Sequence, residues 1–77
     1  MDHAELIRTV GPALWGTRWQ TDMAERLGVN DRTVRRWVSG REVPRPGVWT
    51  ELIAIIRERR DALGELLAVV EQHASER

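Results

Sequence analysis

The chain has 77 residues, no cysteine, and twelve basic residues matched by twelve acidic ones. A chain of this length fits one domain and buries only about 60 % of the surface that its unfolded form exposes. The lack of cysteine excludes disulfides and thiolate metal sites and indicates a reducing, cytosolic setting. We therefore expect a single domain whose modest stability is supplemented by contacts with a second subunit.

Charge is distributed unevenly although the total is zero. Residues 1–17 have a net charge of −1, residues 18–45 of +3 and residues 46–77 of −2. Every basic residue is arginine, whose planar fork suits guanine edges and phosphates, although a GC-rich genome produces the same composition. The positive excess predicts contact with phosphate in the middle of the chain, and the negative excess predicts a tail that faces protein or solvent.

Several classes of protein are not indicated. No stretch approaches the roughly eighteen apolar residues of a membrane span, and the N-terminus lacks the pattern of a signal peptide, so we expect a cytoplasmic protein with no membrane partner. His3 and His73 lie far apart without carboxylates at ligand spacing, and no phosphate loop or nucleophile motif is present. We therefore predict no enzyme activity, no metal, no cofactor and no small-molecule ligand.

The first predicted helix covers about residues 3–10. Leu6 and Ile7 begin an apolar face that continues beyond it. Pro12 lacks an amide hydrogen and crowds the preceding turn, so we predict a kink or a new short turn over residues 12–15. This helix is expected to pack across the back of the segment that follows.

The second predicted helix runs from about Arg18 to Leu27. Thr17 and Gln20 have the three-residue spacing of a capping box, in which each side chain satisfies the other residue's free amide. The four tryptophans of the chain are interpreted as core residues, because phenylalanine and tyrosine are absent and large apolar volume has to come from elsewhere.

A tight turn is predicted after the second helix. Gly28 stands where that helix must stop, and glycine adopts the positive φ of such a turn without steric cost. Asn30 is predicted to cap the next helix, with Asp31 in its first turn against the positive end of the helix dipole. Ala24 is small enough to let the two helices approach closely, and Val29 is expected to pack between them.

The third predicted helix covers residues 31–39. Its buried face comprises Val34, Trp37 and Val38. The residues predicted to point outward or to the flank are Arg32, Arg35, Arg36 and Ser39. Such a ridge of arginines is the feature of the chain that is best suited to contact an anionic partner.

Gly40 ends the third helix, and a connector stiffened by two prolines leads to the last one. Pro46 fits the first position of a helix that continues to about His73. Its apolar residues follow steps of three and four, broken at Arg59, which is the spacing of a coiled-coil seam. The seam consists of Trp49, Leu52, Ile56, Leu63, Leu66 and Val70.

Two structures of this last segment remain open. Residues 49–56 are expected to close the core, whereas the later part has spare apolar surface. That part either folds back as a fifth helix after a break between Arg59 and Gly64, or continues as one long helix that pairs with a second subunit. Gly64 costs about 1 kcal/mol relative to alanine and does not decide between them. We favour pairing in a dimerisation tail, residues 61–77, through Leu63, Leu66, Leu67 and Val70.

The segment WQTDMAERLGVNDRTVRRWVSGREVP, residues 19–44, resembles the helix-turn-helix of Cro/CI-like (XRE-like) regulators. Gln20, Ala24, Gly28 and the RTVRRW run carry the resemblance, which is strong over about a third of the chain and weaker over the flanking helices. Trp19 differs from the Ser or Thr that many members have there. The resemblance implies an all-α, lambda-repressor-like DNA-binding domain over residues 1–77, a bundle of four to five helices with a central helix-turn-helix.

The function implied by this resemblance is sequence-specific binding of double-stranded DNA. The chain would act as a repressor, a homodimer on a palindromic operator, with the third helix in the major groove. Arg32 and Arg36 are predicted to read guanine, and Asn30 or Asp31 to add an adenine or cytosine contact. The residues predicted to bind phosphate are Gln20, Thr33, Arg35, Ser39, Arg41 and Arg45.

Regulators of this size occur in phages and mobile elements, some of them encoded beside anti-CRISPR genes, and as antitoxins. The resemblance does not choose among these. A second hypothesis is a protein-interaction module, in which the helix-turn-helix is a scaffold and the acidic C-terminal helix binds a toxin or another partner. Separately, the arginines of the third helix have an alternative interpretation as solvated surface side chains that pair locally with acids such as Asp31 or Glu25.

Overall fold

The computed structural model describes residues 1–76 and is entirely helical over them. Its elements are α1 (His3–Trp15), a 3-10 turn (Gly16–Arg18), α2 (Trp19–Leu27), α3 (Asp31–Val38) and α4 (Pro46–Ser75). The prediction of an all-α protein is therefore confirmed. Arg77, the last residue of the predicted tail, lies outside the described residues.

A small apolar core joins all four helices. Its buried members are Ile7 from α1, Met23 and Ala24 from α2, Val34 and Trp37 from α3, and Leu52 and Ile55 from α4. The other three tryptophans and Val29 are half-buried and pack against this cluster. The predicted role of the tryptophans as core residues is confirmed, as is the burial of the small residue at position 24.

Helix α1 continues without interruption through Pro12. The prediction that the first helix ends near residue 10 is therefore wrong, since the helix extends to Trp15. Ala4, Ile7 and Gly11 are buried along one face of the helix, and this face extends from the first turn to the residue next to the proline. The stabilisation from packing this face is greater than the cost of the hydrogen bond that Pro12 cannot donate.

The predicted capping box is also wrong. Helix α2 begins at Trp19 with Arg18 as its N-cap, and no side chain caps its first turn. Thr17 lies in the preceding 3-10 turn, one position too early to take the N-cap place that the motif requires. Gln20 is consequently the second residue of α2.

Helix α4 is a single rod of 30 residues, which corresponds to about 45 Å. The protein accordingly measures 53 × 24 × 23 Å. The helix runs through Gly64, so the alternative with a fifth, folded-back helix is not adopted. Leu52 and Ile55 enter the core, whereas Ile56, which was expected to close it, is 42 % exposed.

Two polar contacts hold the first half of α4 against the other helices. An Arg26 guanidinium nitrogen lies 2.9 Å from a Glu58 carboxylate oxygen. Arg59 Nη1 donates to the Leu14 carbonyl at 2.6 Å, in the last turn of α1, where helix carbonyls lack partners within the helix. From residue 60 onward every described side chain of α4 is exposed.

Replacing Gly11 with alanine should destabilise the domain, because the added Cβ would overlap the indole ring of Trp19. Overpacking of this kind costs about 1–3 kcal/mol. Gly47→Ala is the matched control, since nothing lies within 4 Å of a Cβ built there. Urea denaturation measures both free energies of unfolding, and equal values would contradict the packing of Trp19 against α1.

Candidate nucleic-acid interface

The connection between α2 and α3 is three residues long. Gly28 has a φ of 70°, in the left-handed region, and its amide donates to the Ala24 and Glu25 carbonyls at the end of α2. The side-chain oxygen of Asn30 accepts a hydrogen bond from the Thr33 amide at 2.9 Å. The predicted stop at Gly28 and the predicted cap at Asn30 are both confirmed.

The outward face of α3 is a ridge of three exposed arginines, Arg32, Arg35 and Arg36, hereafter the arginine ridge. Val34 and Trp37, on the opposite side of the same helix, are 0 % and 3 % exposed. The predicted orientation of α3 is thus confirmed.

Six of the predicted site residues lie around one shallow groove beside this ridge. The groove has a volume of about 570 Å³, and its lining includes Gln20 from α2, Arg32, Arg35 and Arg36 from α3, and Ser39 and Arg41 from the chain that follows. Residues separated by up to 21 positions in sequence therefore share one concave surface with an excess of positive charge.

Thr33 and Arg45 do not belong to this group. They line a separate groove of about 560 Å³ together with Val29, Trp37, Glu42, Val43 and Val48. Thr33 and Arg35 stand on either side of Val34 in sequence, so they project from opposite flanks of α3. The residues predicted to bind phosphate are consequently divided between the two flanks of the helix.

The two polar side chains at the start of α3, Asn30 and Asp31, have different interactions. Asn30 Oδ1 accepts from both the Thr33 amide and the Thr33 hydroxyl, at 2.9 and 3.1 Å. An adenine contact would need this same oxygen, so only the amide NH₂ of Asn30 remains available to a base. Asp31 is exposed in the first turn of α3, where its negative charge faces the positive end of the helix dipole.

An ion pair joins Arg36 to Glu42, with 3.7 Å between Nη1 and Oε1. Gly40 has a φ of 80° and turns the chain back, so that the Arg41 and Glu42 amides both donate to the Arg36 carbonyl, at 3.0 and 3.2 Å. Both side chains of the pair are about half exposed, so the pair contributes at most about 1 kcal/mol and opens readily. Within the described chain no arginine of the ridge pairs with Asp31 or Glu25.

Two residues that were not predicted from the sequence make contacts at this surface. Glu42 follows Arg36 by six positions, which is not a helical spacing, and only the turn at Gly40 brings it back. Arg8 Nη1 donates to the Val38 carbonyl at 2.7 Å, where a cation suits the negative end of the α3 dipole. No local pattern links Arg8 to a helix 30 residues away.

No family model, curated protein or solved structure matches this chain. Among residues 1–76, no three metal-ligating side chains are grouped to hold an ion. None of the helices described is both long enough and apolar enough to cross a membrane. The assignment of function therefore depends on the geometry of the arginine ridge and its surroundings.

Replacing Asn30 with alanine should reduce the free energy of unfolding by about 0.5–2 kcal/mol, because the Thr33 amide loses its side-chain acceptor. Asn30→Asp is the matched control, since aspartate accepts the same hydrogen bond and also suits the helix dipole. Thermal unfolding followed by circular dichroism makes the comparison. An alanine variant as stable as the parent would show that the cap does not hold α3.

Proposed function

We propose that this chain is a sequence-specific regulator that binds double-stranded DNA, with α2, the Gly28 turn and α3 forming a Cro/CI-like helix-turn-helix. The observation that carries the proposal is the arginine ridge, exposed on the face of α3 opposite its buried residues. An α-helix with side chains is about 10–12 Å across, and the major groove is about 12 Å wide. These dimensions support the proposal that the ridge enters that groove.

Arg32 and Arg36 are the proposed base readers. They lie one helical turn apart on the outward face, and each guanidinium can donate two hydrogen bonds to the O6 and N7 atoms of guanine. Asp31 can accept from cytosine N4 in the same groove. Asn30 contributes mainly by capping α3, with its amide NH₂ as the remaining donor.

Phosphate contacts are proposed on both flanks of α3, because a phosphate backbone borders the major groove on each side. Arg35, Ser39 and Arg41 lie on one flank with Gln20. No side chain caps the first turn of α2, and the N-terminal end of a helix favours an anion, which we propose is a phosphate beside Gln20. Thr33 and Arg45 are the proposed phosphate contacts on the opposite flank of α3.

The proposed active form is a homodimer on a palindromic operator, with the two α3 helices in successive major grooves about 34 Å apart. Support for self-association comes from Leu63, Leu66, Leu67 and Val70, which are 56–61 % exposed on α4. Occlusion of a promoter by the bound dimer would repress transcription. Membership of a phage or mobile-element regulator group remains part of this proposal.

A second candidate function is a protein-interaction module. The observation that favours it is the exposed second half of α4, whose apolar face and net negative sequence could bind a toxin or another protein. In that case the arginine ridge would have no role in binding, and substitutions in it would leave the activity unchanged.

Replacing Arg32 or Arg36 with alanine should weaken binding to an operator fragment by about 1–3 kcal/mol each, because each variant loses a bidentate contact with guanine. Arg26→Ala is the matched control: it removes the same charge from the side of the domain that pairs with Glu58. Fluorescence anisotropy at fixed salt, with fragments from the protein's own locus, gives the Kd values. If Arg32→Ala and Arg36→Ala bind the fragment as tightly as the parent and the control do, the proposed site is wrong.

Replacing Glu42 with glutamine should tighten DNA binding about two- to fivefold, because Arg36 is released from its ion pair and a negative charge near the phosphates is removed. Glu25→Gln changes the net charge equally, on a surface shared with Trp15 and Arg26 rather than with the ridge. The same anisotropy assay compares them. Tighter binding by both variants to the same degree would assign the effect to net charge alone.

A further inference from the structure

The second half of α4 has an apolar face without a partner in the described chain. We call residues 60–75 the tail helix. Leu63, Leu66, Leu67 and Val70 are each more than half exposed there, on the same side of the rod as Leu52, which is buried in the core. The face that closes the domain core therefore continues beyond the domain into solvent.

The tail helix has 16 residues, only just above the length of about 12–15 residues below which isolated helices are barely stable in water even when rich in alanine. The tail helix also contains Gly64 and the adjacent pair Val69 and Val70, which lower its intrinsic helix propensity. Nothing lies within 4 Å of a Cβ built at Gly64. As far as the structure describes the chain, the tail helix does not pack against the other helices. We therefore expect that a partner is needed to stabilise it.

We propose that this partner is the tail helix of a second copy, packed antiparallel with the pair centred near residue 65. The inference rests on the homodimer of the proposed function and does not require DNA binding. It adds the orientation of the two copies and the residues that meet.

The apolar spacing fits an antiparallel seam. Residues 56, 60, 63, 67, 70 and 74 recur in steps of three and four along one side of α4, and all of them except Arg60 are apolar. Centring the pair near residue 65 sets Leu63 of one copy against Leu67 of the other, and Ile56 against Ala74. Leu66 meets its own counterpart beside the centre.

The charges favour this orientation over a parallel one. Arg57 and Glu71 lie on the same flank of α4, and an antiparallel pair brings equal flanks together, so each Arg57 meets Glu71 of the other copy. Arg57 and Glu71 form no ion pair within residues 1–76. A parallel pair in register would instead place each Arg60 opposite the Arg60 of the other copy, which is repulsive.

This arrangement separates the two domains. Leu52 precedes the centre of the pair by about 13 residues, so the two Leu52 side chains lie about 40 Å apart along the shared rod. The distance between the two arginine ridges is then set by the length of α4 and not by contact between the domains.

The test uses cysteine substitutions, since the chain has no native cysteine. Ile56→Cys and Ala74→Cys chains, mixed and oxidised without DNA, should give a disulfide-linked heterodimer, whereas neither variant alone should link to itself. Leu63→Cys mixed with Leu67→Cys provides a second pair. Gln72→Cys, on the opposite face of α4, is the control for random collisions.

Self-linking of Ile56→Cys as readily as the mixed pair would overturn the antiparallel orientation. A single-chain mass by light scattering at 100 µM would overturn pairing altogether. A charge exchange gives an independent readout: Arg57→Glu should weaken the dimer roughly tenfold, and Arg57→Glu with Glu71→Arg should restore it. Failure of the double variant to recover would contradict the Arg57–Glu71 contact.

These outcomes are separable from the proposed function. A chain that links as expected but does not bind its own promoter fragments refutes the DNA-binding proposal and keeps the antiparallel pair. A chain that binds operator DNA while remaining a single chain in solution, with no mixed disulfide, keeps DNA binding and refutes the pair.

Discussion

The burial of Val34 and Trp37 is the interaction on which the surface of this protein depends. Both side chains belong to one core cluster with Ile7, Met23 and Leu52. Every helix therefore contributes a residue to the core around them. Because an α-helix repeats every 3.6 residues, fixing positions 34 and 37 inward leaves no freedom in where the arginines point. The exposed ridge is therefore a consequence of the core and not a separate feature of the fold.

Helix α3 has only eight residues and cannot hold its position through its own hydrogen bonds. Asn30 closes its first turn, and the guanidinium of Arg8 reaches the Val38 carbonyl at its end. Reading base edges requires side chains held to within a fraction of an ångström, which a frayed helix does not provide. The contacts at the two ends thus restrain a short helix that the proposed role requires to be well ordered.

Local signals in the sequence predicted the features that depend on neighbouring residues. The stop at Gly28, the cap at Asn30 and the outward ridge each follow from residues within one or two turns. The errors in the predicted helices have another cause, which is packing between residues distant in sequence. Pro12 remains inside α1 because residues of other helices bury Ile7 and Gly11. On α4, Ile55 and not Ile56 enters the core. Glu42 could not be found either, since only the fold of the loop brings its carboxylate to Arg36. Contact of the arginine ridge with bases or phosphates remains a prediction.

The length of α4 links stability to the proposed function. Within residues 1–76 the four helices share one cluster of seven buried apolar residues, and a chain of this size is marginally stable. If two tail helices pair, association stabilises the folded chain by mass action, so stability rises with protein concentration. Dimerisation and operator binding would then strengthen each other, because DNA that holds two copies side by side raises the effective concentration of each tail helix for the other. A chain at low concentration would then be a weaker binder and also a less stable domain, so the proposed regulator would have a concentration threshold.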